Sequence, residues 1–282
     1  MDPDSGGYCT SSAFLKTSVL TITFTTFYFY KAENDTDIFK PPPAKASIPV
    51  TVVKEKPKPK KRKTIYLTFD DGPNKGTRNV LHIINEEQIP ATLFIIGEHV
   101  YGSRGQTAIF DSAAMNSLIE IANHSFTHAL ENRYEKFYAV PDSVLNDFKR
   151  CADSLGLISK IVRTPGRNIW RVQNICSTDI KKSTAAADTL QDNGYKLVGW
   201  DLEWHFDQQQ HIVQTKDELI SQVDSMFANN RNKTTGHLVL LAHDQIYASS
   251  ADSASLHQFI SEMKMRDEFD FETVSKYPGV QN

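Results

Sequence analysis

Cysteine is scarce in this chain. Three cysteines in 282 residues, Cys9, Cys151 and Cys176, are too few for a disulfide scaffold, and no Cys-x-x-Cys pair offers a thiolate zinc site. Cys151 and Cys176 either pair, if the chain is exported, or stand as separate buried thiols. A basic excess is also missing. The formal net charge of −3 argues against nucleic acid as a general partner, because phosphate binding draws on surplus lysine and arginine. Neither a Gly-x-Ser-x-Gly elbow, nor a phosphate-binding Walker loop, nor a dinucleotide fingerprint is present, so the serine-hydrolase and nucleotide-binding readings fall away. No internal repeat is found, and the longest uncharged apolar run, residues 17–30, is shorter than the ~20 residues that span a bilayer comfortably.

What remains is the composition of a globular protein, with 40% hydrophobic and 23% charged residues. The first 63 residues differ from the rest. The run Thr17 to Tyr30 lies between Lys16 and Lys31 and reads as a signal-peptide core or a weak signal anchor, with an unstructured tail as the alternative. Pro41-Pro42-Pro43 and the basic stretch Lys54 to Lys63 follow. Proline blocks regular structure and like charges repel, so an extended tether is predicted. A nuclear-localisation reading of the basic stretch is the alternative, and beside an apolar segment the spacer reading is preferred. The division is therefore residues 1–63 as anchor and linker and 64–282 as the folded domain.

From Thr64 the pattern becomes regular. Strands are predicted at Thr64–Phe69, Ala91–Ile96, Leu118–Ala122, Ile161–Val162, Tyr195–Trp200, His237–Ala242 and Phe271–Val274. Helices are predicted between them, at Arg78–Glu87, Asp111–Ser117, Pro141–Leu155, Ser183–Asp192 and Ser253–Met265, with a further helix after the capping box Thr215-Lys-Asp-Glu218. Such alternation implies parallel βαβ units, and the continuously apolar strands suit a sheet buried on both faces. The fold class is α/β, a complete or incomplete TIM-like barrel, with an open doubly wound sheet as the alternative.

Polar residues sit where these strands end: Asp70 and Asp71, then His124 and His128, Arg163, Asp201, and finally His243 with Asp244. In parallel α/β proteins the C-terminal strand ends form one face, where sites are built. Each group alone has a bland reading: Asp-Asp-Gly-Pro is good turn sequence, and paired surface histidines are common. Their joint occurrence points to one site. A carboxylate and two histidines leave open positions on a divalent ion, a second carboxylate serves as a general base, and a facing histidine serves as a general acid.

Thr68-Phe-Asp-Asp-Gly-Pro73, His124-Ser-Phe-Thr-His128, Arg163-Thr-Pro-Gly166, Asp201-Leu-Glu-Trp204 and Leu241-Ala-His-Asp244 resemble, in order, the five motifs of the NodB-type polysaccharide deacetylases, carbohydrate esterase family 4. The resemblance covers about residues 64–278. It implies a distorted (β/α) barrel, the NodB homology domain, and an enzyme that removes acetyl groups from an acetylated glycan. It also implies one divalent ion, zinc or else cobalt, manganese, nickel or iron, held by Asp71, His124 and His128. By the same resemblance Asp70 is the base, Arg163 orients it, Asp201 tunes the acid His243, and Trp204 and Leu241 line the acetyl pocket. Two departures stand out. Gly166 replaces the aromatic residue that many relatives carry, keeping the oxyanion-binding amide but not the side-chain wall, and Ala242 precedes His243 where leucine is common. Arg167, Trp170 and Glu203 are candidate sugar contacts or, equally, ordinary surface and core residues. The alternatives are a non-catalytic glycan-binding relative, a deacetylase of acetylxylan or of a small acetylated substrate, and a phosphoesterase, which would need more bridging carboxylates. Extracytoplasmic placement, with membrane contact through the N-terminal run, follows from that run and the family's extracellular substrates.

Overall fold

The computed structural model describes residues 62–281. The anchor and linker readings, and Cys9, lie outside the described residues. Ten strands form one curled, mostly parallel sheet, in the order β6-β5-β7-β4-β3-β2-β1-β9-β8, with β10 pairing to the start of β1. They are β1 (Lys63–Gly72), β2 (Ala91–Ile95), β3 (Ile119–Asn123), β4 (Ile161–Val162), β5 (Ile169–Val172), β6 (Ile175–Thr178), β7 (Lys196–Leu197), β8 (Leu202–Glu203), β9 (His237–His243) and β10 (Phe269–Phe271). Among the described residues no ladder joins β8 to β6, so the barrel is open. The helices are α1 (Lys75–Glu87), α2 (Gly97–Val100), α3 (Arg104–Ala114), α4 (His128–Asn132), α5 (Tyr134–Tyr138), α6 (Pro141–Leu155), α7 (Thr184–Asp192), α8 (Lys216–Ala228) and α9 (Ser250–Lys264). None of these is long and apolar enough to cross a membrane.

The period of two along the central strands divides the core. On β1, Ile65, Leu67 and Phe69 face the helix layer with Leu93 and Ile95 of β2 and Leu238 and Leu240 of β9. The alternate residues point into the barrel, where Tyr66, Phe94, Val239, Trp170 and Tyr277 pack together. Continuing on that inner side, Thr68 and Asp70 arrive at the C-terminal mouth, and the parallel register sets Asp70 beside His243. Alternation on two long strands thus places a base candidate and an acid candidate side by side.

Several predicted elements are shorter or shifted. The strand expected over residues 195–200 reduces to Lys196–Leu197, because Val198, Gly199 and Trp200 leave the ladder and turn their carbonyls to Arg163 and Asn168. The helix expected from Asp111 begins at Arg104, capped by Ser103, whose hydroxyl accepts from the Gln106 amide. The closing strand falls at Phe269–Phe271. The antiparallel hairpin β5–β6 was not anticipated. The capping box at Thr215 and Glu218 forms, and helix α6 has the predicted bounds. Cys151 is a buried free thiol, so its pairing with Cys176 is not made.

Candidate active site

The site is built from the ends of β1, β3, β4 and β9. The β1–β2 register breaks between Asp70 and Gly72, and Asp71 takes a left-handed φ of 76° there. Two carboxylates adjacent in sequence are thereby aimed differently. Asp70 turns inward, 3% exposed, and its Oδ1 accepts from Arg163 Nη1 at 2.8 Å. Asp71 turns toward the histidines: its Oδ1 lies 3.5 Å from His124 Nε2 and 3.2 Å from His128 Nε2. Gln245 holds the other oxygen, its Nε2 donating to Asp71 Oδ2 at 3.2 Å.

The histidines arrive by different routes. His124 follows β3, and its Nδ1 donates to the Arg163 carbonyl at 2.9 Å. A carbonyl only accepts, so this bond fixes the proton on Nδ1 and leaves the Nε2 lone pair toward Asp71. His128 opens α4, which is a left-handed turn: Ala129, Leu130 and Glu131 have φ of 55°, 56° and 58°. The two imidazole centroids are 5.2 Å apart.

Asp71, His124 and His128 together offer one ligand atom each within 4.8 Å of one another. The donor set fits a divalent ion. Asp71 Oδ1 is buried and accepts no hydrogen bond, a costly state for a carboxylate oxygen unless a cation satisfies it. Burial pushes the Asp71 carboxyl up, but the imidazoles of His124 and His128 outweigh it and hold it well below the usual carboxylate range.

Arg163 is 1% exposed and every arm is spoken for: Nε donates to the Val198 carbonyl, Nη1 to Thr68 and Asp70, and Nη2 to the Gly199 carbonyl. Burial lowers its pKa, with Asp70 opposing, and the Phe94 ring packs 4.1 Å from the guanidinium carbon. A buried charge survives only when paired and bonded in this way. Arg163 therefore holds the Asp70 carboxylate in one orientation.

The cleft above these residues measures about 460 Å³, and its wall includes Gly166, Trp200, Glu203, Phe206, Leu241 and His243. The Phe206 ring packs edge-on against His243 at 5.0 Å. Asp201 is not part of it. Its oxygens accept from the backbone amides of Lys233 at 2.7 Å and Val239 at 2.8 Å, and His243 Nδ1 is buried without any hydrogen-bond partner. The tuning role expected for Asp201 is thus corrected: it clamps the entry of β9. Burial raises the Asp201 carboxyl to about 6 against those two amides.

Trp204 is corrected as well. It is 2% exposed in the helix-side core, its Nε1 donates to the Gln214 carbonyl, and its ring meets Tyr247 and Phe259. Trp200 reaches the cleft instead. Of the candidate sugar contacts, Glu203 lines the cleft, Arg167 lies just beside it, and Trp170 is wholly buried in the barrel interior. Tyr134 and Phe206 belong to no recognised motif, and nothing in the sequence marks them. Tyr134 fills the space beside Gly166: a β-carbon on Gly166 would sit 2.7 Å from its ring. The aromatic wall that the third motif lacks is supplied from α5.

An open α/β barrel carries an aspartate, two histidines and a buried arginine–aspartate pair at its mouth, a donor set that suits a divalent ion. Comparison with known proteins points the same way as the motifs. Residues 57–166 match the family model for polysaccharide deacetylase, the family that the motifs resemble. The chain is 25% identical over 201 residues to a chitin disaccharide deacetylase of Vibrio alginolyticus, covering 50% of this chain and 47% of that protein. It is 32% identical over 126 residues to a chitooligosaccharide deacetylase of Bradyrhizobium, covering 44% and 54%. The chain thus spans about half the length of these relatives. Among solved structures, the catalytic domain of a peptidoglycan N-acetylglucosamine deacetylase from Eubacterium rectale superposes with a TM-score of 0.55 at 22% identity, covering 76% of this chain and 90% of that one, which shows the fold.

Proposed function

We propose that this chain is a metal-dependent deacetylase of an N-acetylglucosamine-containing glycan, with Asp71, His124 and His128 holding zinc or a similar divalent ion. The observation that carries the reading is the convergence at one mouth of a buried, unbonded Asp71 oxygen, two imidazole Nε2 atoms, and an Asp70 carboxylate locked by Arg163. The named activities of the relatives, on chitin disaccharide and chitooligosaccharide, favour an amide-linked acetyl group on a hexosamine. We place the catalytic unit at residues 64–282 and the anchor and tether at 1–63, which puts the enzyme outside the cytoplasm, in contact with a membrane.

A divalent ion at this position supplies Lewis acidity, polarising the acetyl carbonyl and acidifying water. The protein's own groups do the rest. Asp70, held by Arg163, takes a proton from the attacking water. The Gly166 amide faces the carbonyl oxygen as charge develops on it. His243, at the end of β9 beside Asp70, gives a proton to the nitrogen as its bond to the acetyl carbon breaks, leaving acetate and a free amine.

The test is acetate release from acetylated oligosaccharides, with metal stripped by chelator and then restored. Restored release supports the reading, and silence from a folded, metal-loaded protein on every glycan overturns it. Asp70→Asn is expected to lower turnover by about 10²-fold or more while leaving bound metal unchanged, measured by elemental analysis beside the kinetics.

A further inference from the structure

Beside the cleft lies a shallow depression lined by Arg133, Tyr134, Glu135, Lys136 and Arg167, and it shares Asn132 and Tyr134 with the cleft itself. The Tyr134 ring stands between the two. On one side it meets the His128 ring edge-on at 6.2 Å, and on the other the Arg167 guanidinium sits 5.4 Å from its centroid and 5.7 Å from that of Tyr138.

Arg167 is unusual among the inward-lying arginines. Arg163 is bonded to Asp70 and Arg171 to Asp188, whereas Arg167 makes no ion pair with any described residue. Its Nη1 donates only to the neighbouring Gly166 carbonyl, and its Nε is buried without a partner. The nearby acids are engaged elsewhere: Glu135 with Lys182 at 2.8 Å, and Asp179 with the amides of Asn168 and Ile180. Arg133 reaches Glu131 only at 3.9 Å on the exposed surface. A half-buried guanidinium that lies beside two tyrosine rings at the edge of the cleft, with its Nη end outward and in no ion pair among the described residues, is placed to meet a planar anion. Its fork matches a carboxylate with two parallel hydrogen bonds, and the tyrosine face suits a sugar ring.

We propose that Tyr134 and Arg167 form a subsite for a carboxylate-bearing sugar adjacent to the acetylated one, so that the preferred substrate is an acidic glycan. The proposal rests on the deacetylase reading for its position along the chain of sugars, but binding at the subsite does not require turnover. Gly166 contributes by absence. Any side chain there would displace the Tyr134 ring.

The experiment compares two acetylated hexasaccharides on the full chain: one of neutral N-acetylglucosamine, the other alternating it with a sugar that bears a carboxylate. The wild type is expected to favour the acidic oligomer. Arg167→Gln is expected to lose about tenfold in kcat/KM on it, mainly through KM, with less than a twofold change on the neutral one. Arg167→Lys is expected to recover only part, because it keeps the charge and loses the fork. Calorimetric binding of both oligomers to each variant runs in parallel, and thermal unfolding checks that each variant is folded. Equal losses on the two oligomers, or no wild-type preference in rate or in binding, overturn the subsite. If neither oligomer releases acetate but the acidic one still binds through Arg167, the deacetylase reading fails and the subsite stands.

Discussion

Trp200 and Trp204 lie four residues apart, and only the first reaches the cleft. Between them β8 pairs Leu202 and Glu203 with Leu240 and Leu241, which turns Glu203 to the cleft and carries Trp204 over to Tyr247 and Phe259 on the helix side. Trp204→Ala should therefore cost about 3–5 kcal/mol of folding stability, read from urea unfolding, while the ranking of substrates stays the same. A shifted ranking would return Trp204 to the pocket. The motif marks the right segment, but a two-residue strand decides which tryptophan faces which way, and nothing in its sequence reveals that register. The convergence of Asp70, Asp71, His124, His128 and Arg163 on one mouth was legible for the opposite reason. Their chemistry is rare at strand ends, and strands of clear apolar pattern bring them there. Asp201 was misread because a carboxylate that bonds two backbone amides looks, in sequence, like one that serves a histidine.

At the scale of elements, α4 is the unusual piece. Five consecutive non-glycine residues, His128 to Asn132, have positive φ, and left-handed geometry carries a steric cost of about 1–2 kcal/mol for each. The turn is held from both sides: Thr127 Oγ1 accepts from the Leu130 amide, and the Asp147 carboxylate accepts from the amides of Phe126 and Thr127. Its effect is to deliver His128 to Asp71. Glu131 is exposed at φ 58°, so Glu131→Gly relieves strain without removing a buried contact. It should raise stability by about 1 kcal/mol in chemical denaturation and leave metal affinity unchanged. A loss of stability would show that the turn is not left-handed in solution. Sequence gave no hint of this turn, since Ala, Leu and Glu are all good right-handed helix formers. The β5–β6 hairpin was equally hidden, because its strands are short and its turn lacks the usual glycine pair. Helices α6 and α8 were readable from proline at the first turn and from a capping box, which are local signals needing no tertiary context.

For the molecule as a whole, the partly buried Asp201 makes stability depend on pH. Its folded pKa, raised by burial to about 6, exceeds the ordinary aspartate value, so the folded state holds a proton that the unfolded chain releases. The resulting stability is fully present below about pH 4 and is lost as pH rises through about 6. Asp201→Asn cannot ionise. Its unfolding free energy relative to the wild type should rise by up to ~3 kcal/mol between pH 4 and pH 7, over a constant loss for the amide it no longer accepts from. A flat difference across that range would show that Asp201 titrates normally. The barrel itself was legible because β1, β2 and β9 are unbroken apolar runs. Its opening was not, since it depends on β4, β7 and β8, each two residues long.

The register break at the end of β1 constrains how such a protein changes. Asp70 and Asp71 share one peptide on a strand flanked by β2 and β9, so the backbone that sets the proposed base also sets the proposed metal ligand. Neither can be retuned by moving that strand without disturbing the other. Adaptation to a new glycan would then fall on the periphery, on Tyr134, Arg167, Glu203 and Phe206, which come from segments other than that strand. A strand shared by two carboxylates with different tasks acts as a lock on the mouth, and the rim is the part left open to change.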